Sequence, residues 1–301
     1  TGGLPEGTTV FQVLGRAAAG DGGTCFLKRI SKVDIDADGY PTLSYTRLDD
    51  TFMPGGGTDA TNGGYVVIAD DIVSTSMTGS VDGENNTAAI QAAFDLANAR
   101  GGCSVFVAGH ESIVSDGDAD TFCLSVYSNT HVYGVRGKSI IKLADGSDPT
   151  AIIRVVNGAT DVMLEKFVVD GNRDNQTPGV EEYGSYMGII GMADNARVTY
   201  SDLDIQNCNG RSLVTNQEGV LLASLTDPAT DIIVDRVRIK NSGTKSIAVR
   251  RTIRCTVSNC NVDTYGVPDD GGTTNSDNCS AYEASNSHHV TFSNSVAKHR
   301  N

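Results

Sequence analysis

Between residues 162 and 297 the chain repeats one eight-residue alternation five times: 162–169 (VMLEKFVV), 198–205 (VTYSDLDI), 232–239 (IIVDRVRI), 255–262 (CTVSNCNV) and 290–297 (VTFSNSVA). Positions one, three, six and eight are apolar, Ser295 excepted, and positions four and five are polar. Period-2 alternation predicts two short strands with their inner faces on one core, and the polar pair between them predicts a sharp corner. The corner pairs are Glu165-Lys166, Ser201-Asp202, Asp235-Arg236, Ser258-Asn259 and Ser293-Asn294, and asparagine suits such a bend because it tolerates left-handed backbone. The copies start at 162, 198, 232, 255 and 290, within the roughly 20–45-residue spacing of solenoid repeats.

A third apolar run accompanies each corner, at 152–156, 188–192, 219–223, 246–249 and 279–282. Three strands per coil, each pairing with its equivalent one turn away, predict an all-β chain built as a right-handed parallel β-helix. An antiparallel sandwich would need tight hairpin turns between successive strands, and these are missing.

Upstream, Asn86 or Thr87 is placed to cap a helix over about 87–100. Ile90, Ala93, Phe94 and Ala97 form its apolar stripe and Gly101-Gly102 end it. An amphipathic helix there would cover the open end of the β-helix, whose bare edge otherwise invites pairing with another chain. The run 103–107 (CSVFV) is then the first strand under the lid. Residues 1–75 have a different texture, with glycine clusters between short β-prone runs at 8–13 and 65–69. They read as a small β-rich lead-in domain ahead of a β-helix over 76–301.

Composition narrows the partners. The 301 residues contain no tryptophan, 34 glycines and 6% aromatics, which suits thin coils filled by Val, Ile, Ala and Cys. A net charge of −14 argues against nucleic acid and anionic membranes, both of which demand basic patches. It also repels an acidic polysaccharide at long range unless local arginines or cations offset it. No apolar run approaches the ~20 residues of a membrane span, so the chain is expected to be soluble. Seven cysteines, an odd number, argue against a full disulfide framework, and Cys255 and Cys260 read as small apolar fillers. The chain opens at Thr1 without an initiator methionine and its fifth copy stops at Ala297 without a cap. A processed piece of a longer β-helix is therefore expected.

The stretch 81–107, VDGENNTAAIQAAFDLANARGGCSVFV, resembles the opening of the pectate-lyase-superfamily β-helices of bacteriophage tailspikes and polysaccharide lyases. It departs from them at Ala108-Gly109-His110, where that family usually has a proline before the alanine and glycine. The segment 13–23 (VLGRAAAGDGG) resembles the lead-in module of phage tail proteins. The resemblance implies a homotrimer on a virion, made in the host cytoplasm and joined to other phage tail proteins, that binds and often cleaves a bacterial surface polysaccharide outside the cell. Met163, Val168, Ile233 and Val296 occupy outward positions of the repeat and are candidates for an interface. The segment 169–176 (VDGNRDNQ) also resembles one in β-helical alginate epimerases, but their catalytic Asp-Pro-His-Glu motif is absent from this chain.

Candidate chemistry gathers in the connections between coils, drawn at 170–186, 206–218, 240–245 and 263–278. If coils stack, all four emerge on one edge, two long, one short and one long, and insertions on one face of a repeat protein commonly bind. The carboxylates Asp170, Asp174, Glu181, Glu182, Asp263 and Asp269 are candidate catalytic groups, with Arg173, Tyr183, Arg211, Arg250, Tyr265 and Glu283 as candidate substrate contacts. Carboxylates one coil apart, ~5 Å, suit a retaining glycosidase, and two coils apart, ~9.5 Å, an inverting one. A lyase would instead use a base with a tyrosine or arginine near the sugar C5. The alternative is that these acidic residues only solvate a surface.

Asp34, Asp36 and Asp38, followed by Gly39, match the start of a calcium loop, although Tyr45 stands at its twelfth position. Asp170, Asn172 and Asp174 end correctly at Glu181 but have Asn175 in place of the glycine. Bound Ca2+ is thus possible and no cofactor is required. The histidines show no metal-ligand spacing, and no motif places a Ser/His/Asp set. These observations together predict a tailspike-type protein that binds and depolymerises a surface polysaccharide by hydrolysis or β-elimination. A non-catalytic fibre or adhesin and a secreted polysaccharide lyase are the alternatives.

Overall fold

The computed structural model describes residues 10–13, 25–30, 64–68, 72–115, 122–147, 149–176, 187–216, 227–265 and 280–298. Val10–Val13, Cys25–Ile30 and Gly64–Ile68 form a three-stranded antiparallel sheet in that order. All later strands among the described residues belong to three parallel sheets.

The first sheet has eight strands: Ile72–Ser74, Ser104–Phe106, His131–Tyr133, Thr160–Glu165, Ala196–Ser201, Ala229–Asp235, Thr252–Ser258 and His288–Ser293. The second has seven: Glu111–Val114, Ile140–Leu143, Val168–Asp170, Asp204–Gln206, Arg238–Ser242, Asn261–Tyr265 and Val296–Lys298. The third has six: Phe122–Val126, Ala151–Val155, Met187–Gly191, Leu213–Val214, Lys245–Arg250 and Ser280–Ser285. Each strand pairs in sequence order with its equivalent one coil away, so the chain is the parallel β-helix its repeats predict. Ile72–Ser74 already pairs with Ser104–Phe106, so the β-helix starts at 72.

In the first four copies of the repeat, every residue predicted to point inward is buried, from Val162, Leu164, Phe167 and Val169 to Cys255, Val257, Cys260 and Val262. In the fifth, Phe292 is 40% exposed and Ala297 is exposed. The corner has one cause in all five. Lys166, Asp202, Arg236, Asn259 and Asn294, the second residue of each polar pair, have φ between 48° and 60°, the left-handed region that turns a strand through a sharp angle. Burial raises the thiols of Cys208 and Cys255 to about 12 and that of Cys260 to about 11, as befits core fillers.

The lid helix spans Thr87–Ala99 and buries Ile90, Ala93, Phe94, Leu96 and Ala97 against Val73, Val105 and Leu124. Gly101 and Gly102 close it with positive φ, and the Gly102 N–H donates to Ala97 O at 2.9 Å. Asn86 occupies the N-cap position, yet its side chain caps nothing. It accepts from Val81 N and donates to Val81 O and Glu84 O, while Asn85 Oδ1 accepts from Thr87 N. No helix among the described residues is long and apolar enough to cross a membrane.

Two expectations are corrected. The third strand of the third coil is Leu213–Val214, not 219–223, which lies outside the described residues. Leu213 and Val214 pair with Ile189 and Ile190 on one side and with Ile247 and Ala248 on the other. Continuity of the stack therefore outranks the longer apolar run. The extra chain of that coil consequently follows the third-sheet strand, at 215–228, rather than preceding it. Second, the outward apolar residues form no row. Val168 is buried, and it stands four pairings from Val296 with Asp204, Arg238 and Asn261 between them. Met163 and Ile233 are separated by Thr199.

Candidate functional site

The edge where the second sheet passes to the third carries the acidic candidates. Long connections leave it at 171–186 and 266–279, and short ones at 207–212 and 243–244. Asp170 is fully occupied there: its Oδ1 accepts from Asn172 N at 2.8 Å and Asn207 Nδ2 at 3.1 Å, and its Oδ2 from Gln206 Nε2 at 2.7 Å. Asp263 lies in the same outward column, reached from Asp170 through Gln206 and Lys240. Three coil steps of ~4.8 Å separate the two by roughly 14 Å, beyond the reach of a glycosidase carboxylate pair. The geometry therefore does not bring them together.

The other candidates are dispersed. Asp174 is exposed on the 3-10 turn Arg173–Asn175, while Arg173 and Arg211 are buried. Glu283 pairs with Lys245, and Arg250 ends the same strand, Lys245–Arg250. Tyr265 ends Asn261–Tyr265 opposite Ser242. Glu181, Glu182, Tyr183, Asp269 and the possible calcium ligands Asp34, Asp36 and Asp38 lie outside the described residues. Among those described, no three His, Cys, Asp or Glu side chains are grouped to hold a metal.

A different constellation forms near the opposite corner, between the first and second sheets. Val132 is fully buried, so alternation puts His131 and Tyr133 on the outer face; Leu164 does the same for Met163 and Glu165. Pairing sets Tyr133 against Phe106 on one side and Glu165 on the other, and His131 against Met163. His131 then reaches diagonally to Glu165, with Nε2 3.1 Å from Oε1. Lys166, on the left-handed corner, places Nζ 2.9 Å from the same oxygen. The His131 and Tyr133 rings are 5.1 Å apart, and Tyr133 lies 5.4 Å from Phe106. Glu165 is 8% exposed whereas the His131 side chain is 38% exposed, so a held carboxylate orients a reachable imidazole.

Beyond Glu165 the corner becomes a ladder of ion pairs. Arg136 spans the second coil to Asp202 and Asp204, 3.8 Å from each. Arg236 grips Asp202 at 2.9 and 3.0 Å and pairs with Asp235, and Arg238 pairs with Asp204. The hydrogen bonds from Arg236 hold the Asp202 carboxyl below the usual carboxylate range. These carboxylates are neutralised in place.

The donor set at His131 has defined capabilities. With Nε2–H donated to Glu165, Nδ1 keeps a lone pair and can take a proton. Tyr133 can give one, Lys166 can balance an anion, and Phe106 with Tyr133 offers aromatic faces. Sequence reasoning found no metal-ligand spacing among the histidines and gave His131 no role. Aligning 131–133 over 163–165 was the available signal, since both triplets read outward, inward, outward.

No protein-family profile matches the chain. Over 155 residues it is 34% identical to mannuronan C5-epimerase AlgE2 of Azotobacter vinelandii, an alignment covering 49% of this chain and 15% of the epimerase. It is also 34% identical over 155 residues to alginate lyase 7 of the same organism, covering 49% of this chain and 18% of the lyase. The matched part is thus less than a fifth of either relative. Among solved structures, pre-mature gene product 12 of bacteriophage phi29 superposes with a TM-score of 0.59 at 19% identity, over 75% of this chain and 29% of that one. Its fold agrees with the three sheets described above. The chain is a parallel β-helix protein, and two of its sequence relatives are named for reactions on mannuronan and alginate.

Proposed function

We propose that this β-helix modifies an anionic, uronate-containing polysaccharide at the corner formed by Phe106, His131, Tyr133, Glu165 and Lys166. The observation that carries the reading is the His131–Glu165 contact of 3.1 Å beside Tyr133. Epimerisation at C5 and β-elimination both begin by removing the C5 proton, which is acidified by the neighbouring carboxylate. His131 would take that proton at Nδ1 while Lys166 balances the charge that develops on the uronate. In elimination the electron pair forms a C4–C5 double bond, the C4–O bond breaks, and Tyr133 protonates the departing oxygen. In epimerisation a proton returns to C5 from the opposite face. The chain lacks the Asp-Pro-His-Glu motif, so either outcome would rest on these residues.

Hydrolysis is less well supported. Asp170 and Asp263 are too far apart, and Glu165 and Asp235, two coils apart in one column, are both held in ion pairs. The tailspike-like segments 13–23 and 81–107 favour a setting on a phage tail, as a homotrimer facing a bacterial surface polysaccharide. Antibody labelling of virions tests that placement, and unlabelled tails count against it.

The chemistry is tested by incubating the chain with a panel of polyuronates. Ultraviolet absorbance of the unsaturated uronate product reports elimination, and deuterium uptake at C5 in heavy water reports epimerisation. One of the two signals is expected, reduced roughly 100-fold or more by His131→Ala. Silence in both assays, or a His131→Ala variant as active as the parent, rejects the reading.

A further inference from the structure

A second group of chemically complementary side chains lies at the lid end of the same corner. Ser80 Oγ is 2.9 Å from His110 Nε2 and 2.9 Å from Ser112 Oγ. Asp82, two residues after Ser80, accepts from Glu111 N at 3.0 Å and sits close enough to His110 to favour its protonated form. Burial pulls the imidazole the other way and prevails, so its proton affinity is lowered and the neutral, basic form is the one present near neutrality.

The loop bearing Ser80 and Asp82 is pinned on both sides. Gly83 N donates to Glu111 O, Asn86 N to Ile113 O and Ile113 N to Glu84 O. The Asn86 side chain fastens Val81 and Glu84. This is why the Asn86 side chain does not cap the helix: its amide is spent holding this loop. Rigid placement of this kind is what a nucleophile and its base require.

Two glycines flank the pair in sequence and leave space around their own positions. A Cβ on Gly83 would meet nothing within 4 Å, and one on Gly109 would meet only Lys138 Cβ at 4.0 Å. Ser80 itself is 6% exposed and the His110 ring is half-buried, which favours a small acyl group over a bulky one. Among the described residues the Gly109 N–H has no acceptor, which makes it a candidate donor to an oxyanion.

We propose that Ser80, His110 and Asp82 form an acyl-transfer site that hydrolyses short-chain O-acyl esters carried by a glycan. His110 Nε2 takes the Ser80 proton as Oγ attacks the acyl carbon, and Asp82 stabilises the imidazolium. The ester C–O bond breaks, the glycan oxygen leaves with the proton from His110, and an acyl-serine remains. Water, deprotonated by His110, then releases the carboxylic acid and restores Ser80. Water is the sole co-reactant. The choice of a glycan ester rests on the proposed polysaccharide function; the acyl-transfer chemistry does not.

The test uses the whole chain with p-nitrophenyl acetate and, separately, a fluorophosphonate read by peptide mass spectrometry. Hydrolysis is expected to fall roughly 100-fold or more in Ser80→Ala and His110→Ala, and the phosphonate is expected on Ser80 of the parent chain. The labelling needs no variant, so a misfolded substitution does not blunt it. A parent chain left unlabelled at Ser80, or hydrolysis unchanged in Ser80→Ala, overturns the proposal. His131→Ala is expected to keep ester hydrolysis while losing uronate chemistry, which separates failure of this site from failure of the other.

Discussion

The two edges that flank the second sheet have opposite characters. Where the first sheet turns into the second, five copies of the repeat use a left-handed residue at one position, and side chains on successive coils meet in register. Where the second sheet passes to the third, connection length varies from 243–244 to 171–186. Variation in length suggests a binding edge, yet the polar side chains at its root bond one another: Asn241 Nδ2 donates to Asn207 Oδ1, Asn207 Nδ2 to Asp170 Oδ1, and Gln206 to Asp170 Oδ2. Polar groups stacked one coil apart satisfy each other. The constant corner instead leaves His131 partly accessible, oriented by a carboxylate that is itself held. Length variation marks where the stack tolerates insertion; chemistry requires fixed geometry.

The largest effect expected at either edge is steric. A Cβ on Gly243 would stand 1.7 Å from the Asn209 carbonyl oxygen, and backbone cannot yield as a side-chain tip can. Gly243→Ala should cost about 3 kcal/mol or more, read as a lowered urea midpoint with unchanged slope. Phe167→Ala, which empties a fully buried corner position, should cost a similar ~3–5 kcal/mol. Gly243→Ala melting with the parent would show that the connection edge yields even at its shortest turn, whereas Phe167→Ala melting with the parent would break the contrast, because the corner would then be the softer edge.

Activity sharpens the same contrast. Glu165→Gln keeps the shape but removes the charge that orients His131, and turnover should fall about 100-fold, equivalent to ~2.7 kcal/mol. Asp170→Asn, at the connection edge, should change turnover less than about threefold while lowering stability by roughly 1 kcal/mol through its broken bracket. Equal losses in both variants would return the connection edge to the active site.

The fold was legible because burial writes a period-2 pattern that survives any choice of surface residue. Corner positions were legible too, although only Asn259 and Asn294 are asparagines. Lys166, Asp202 and Arg236 adopt the same left-handed backbone, so the coil imposes it against the residue's preference. The site was not legible, because Glu165 lies 32 residues from Tyr133 and 34 from His131 in sequence, and only register brings it to them. Leu213–Val214 was missed for a related reason: two residues carry no periodicity, and their pairing to neighbouring coils defines them.

Lys166 tests whether the strain at the corner serves chemistry. A lysine in the left-handed region costs roughly 1 kcal/mol relative to a residue that tolerates it. Lys166→Asn should therefore raise stability by up to about 1 kcal/mol, while losing the cation proposed to balance the uronate and with it about tenfold in turnover. A variant that gained stability and kept full activity would make Lys166 a purely structural corner.

The smallest expected effect lies in the ion-pair ladder. Hydrogen bonds from Arg236 come first among the causes that hold the folded Asp202 carboxyl below its unfolded value of about 3.9. A depressed acid stabilises the fold above the unfolded value, and the contribution is lost as pH falls through the folded one. The stability difference between the parent and Asp202→Asn should thus be constant from about pH 5 to 7 and shrink below about pH 4. Its size should stay under about 1 kcal/mol, since the Arg236 side chain is 53% exposed and water screens the pair. Molar salt should reduce it further. A difference that grew on acidification would mean that Asp202 is strained rather than stabilised at the corner, and the ladder would then oppose the fold that the left-handed turns impose.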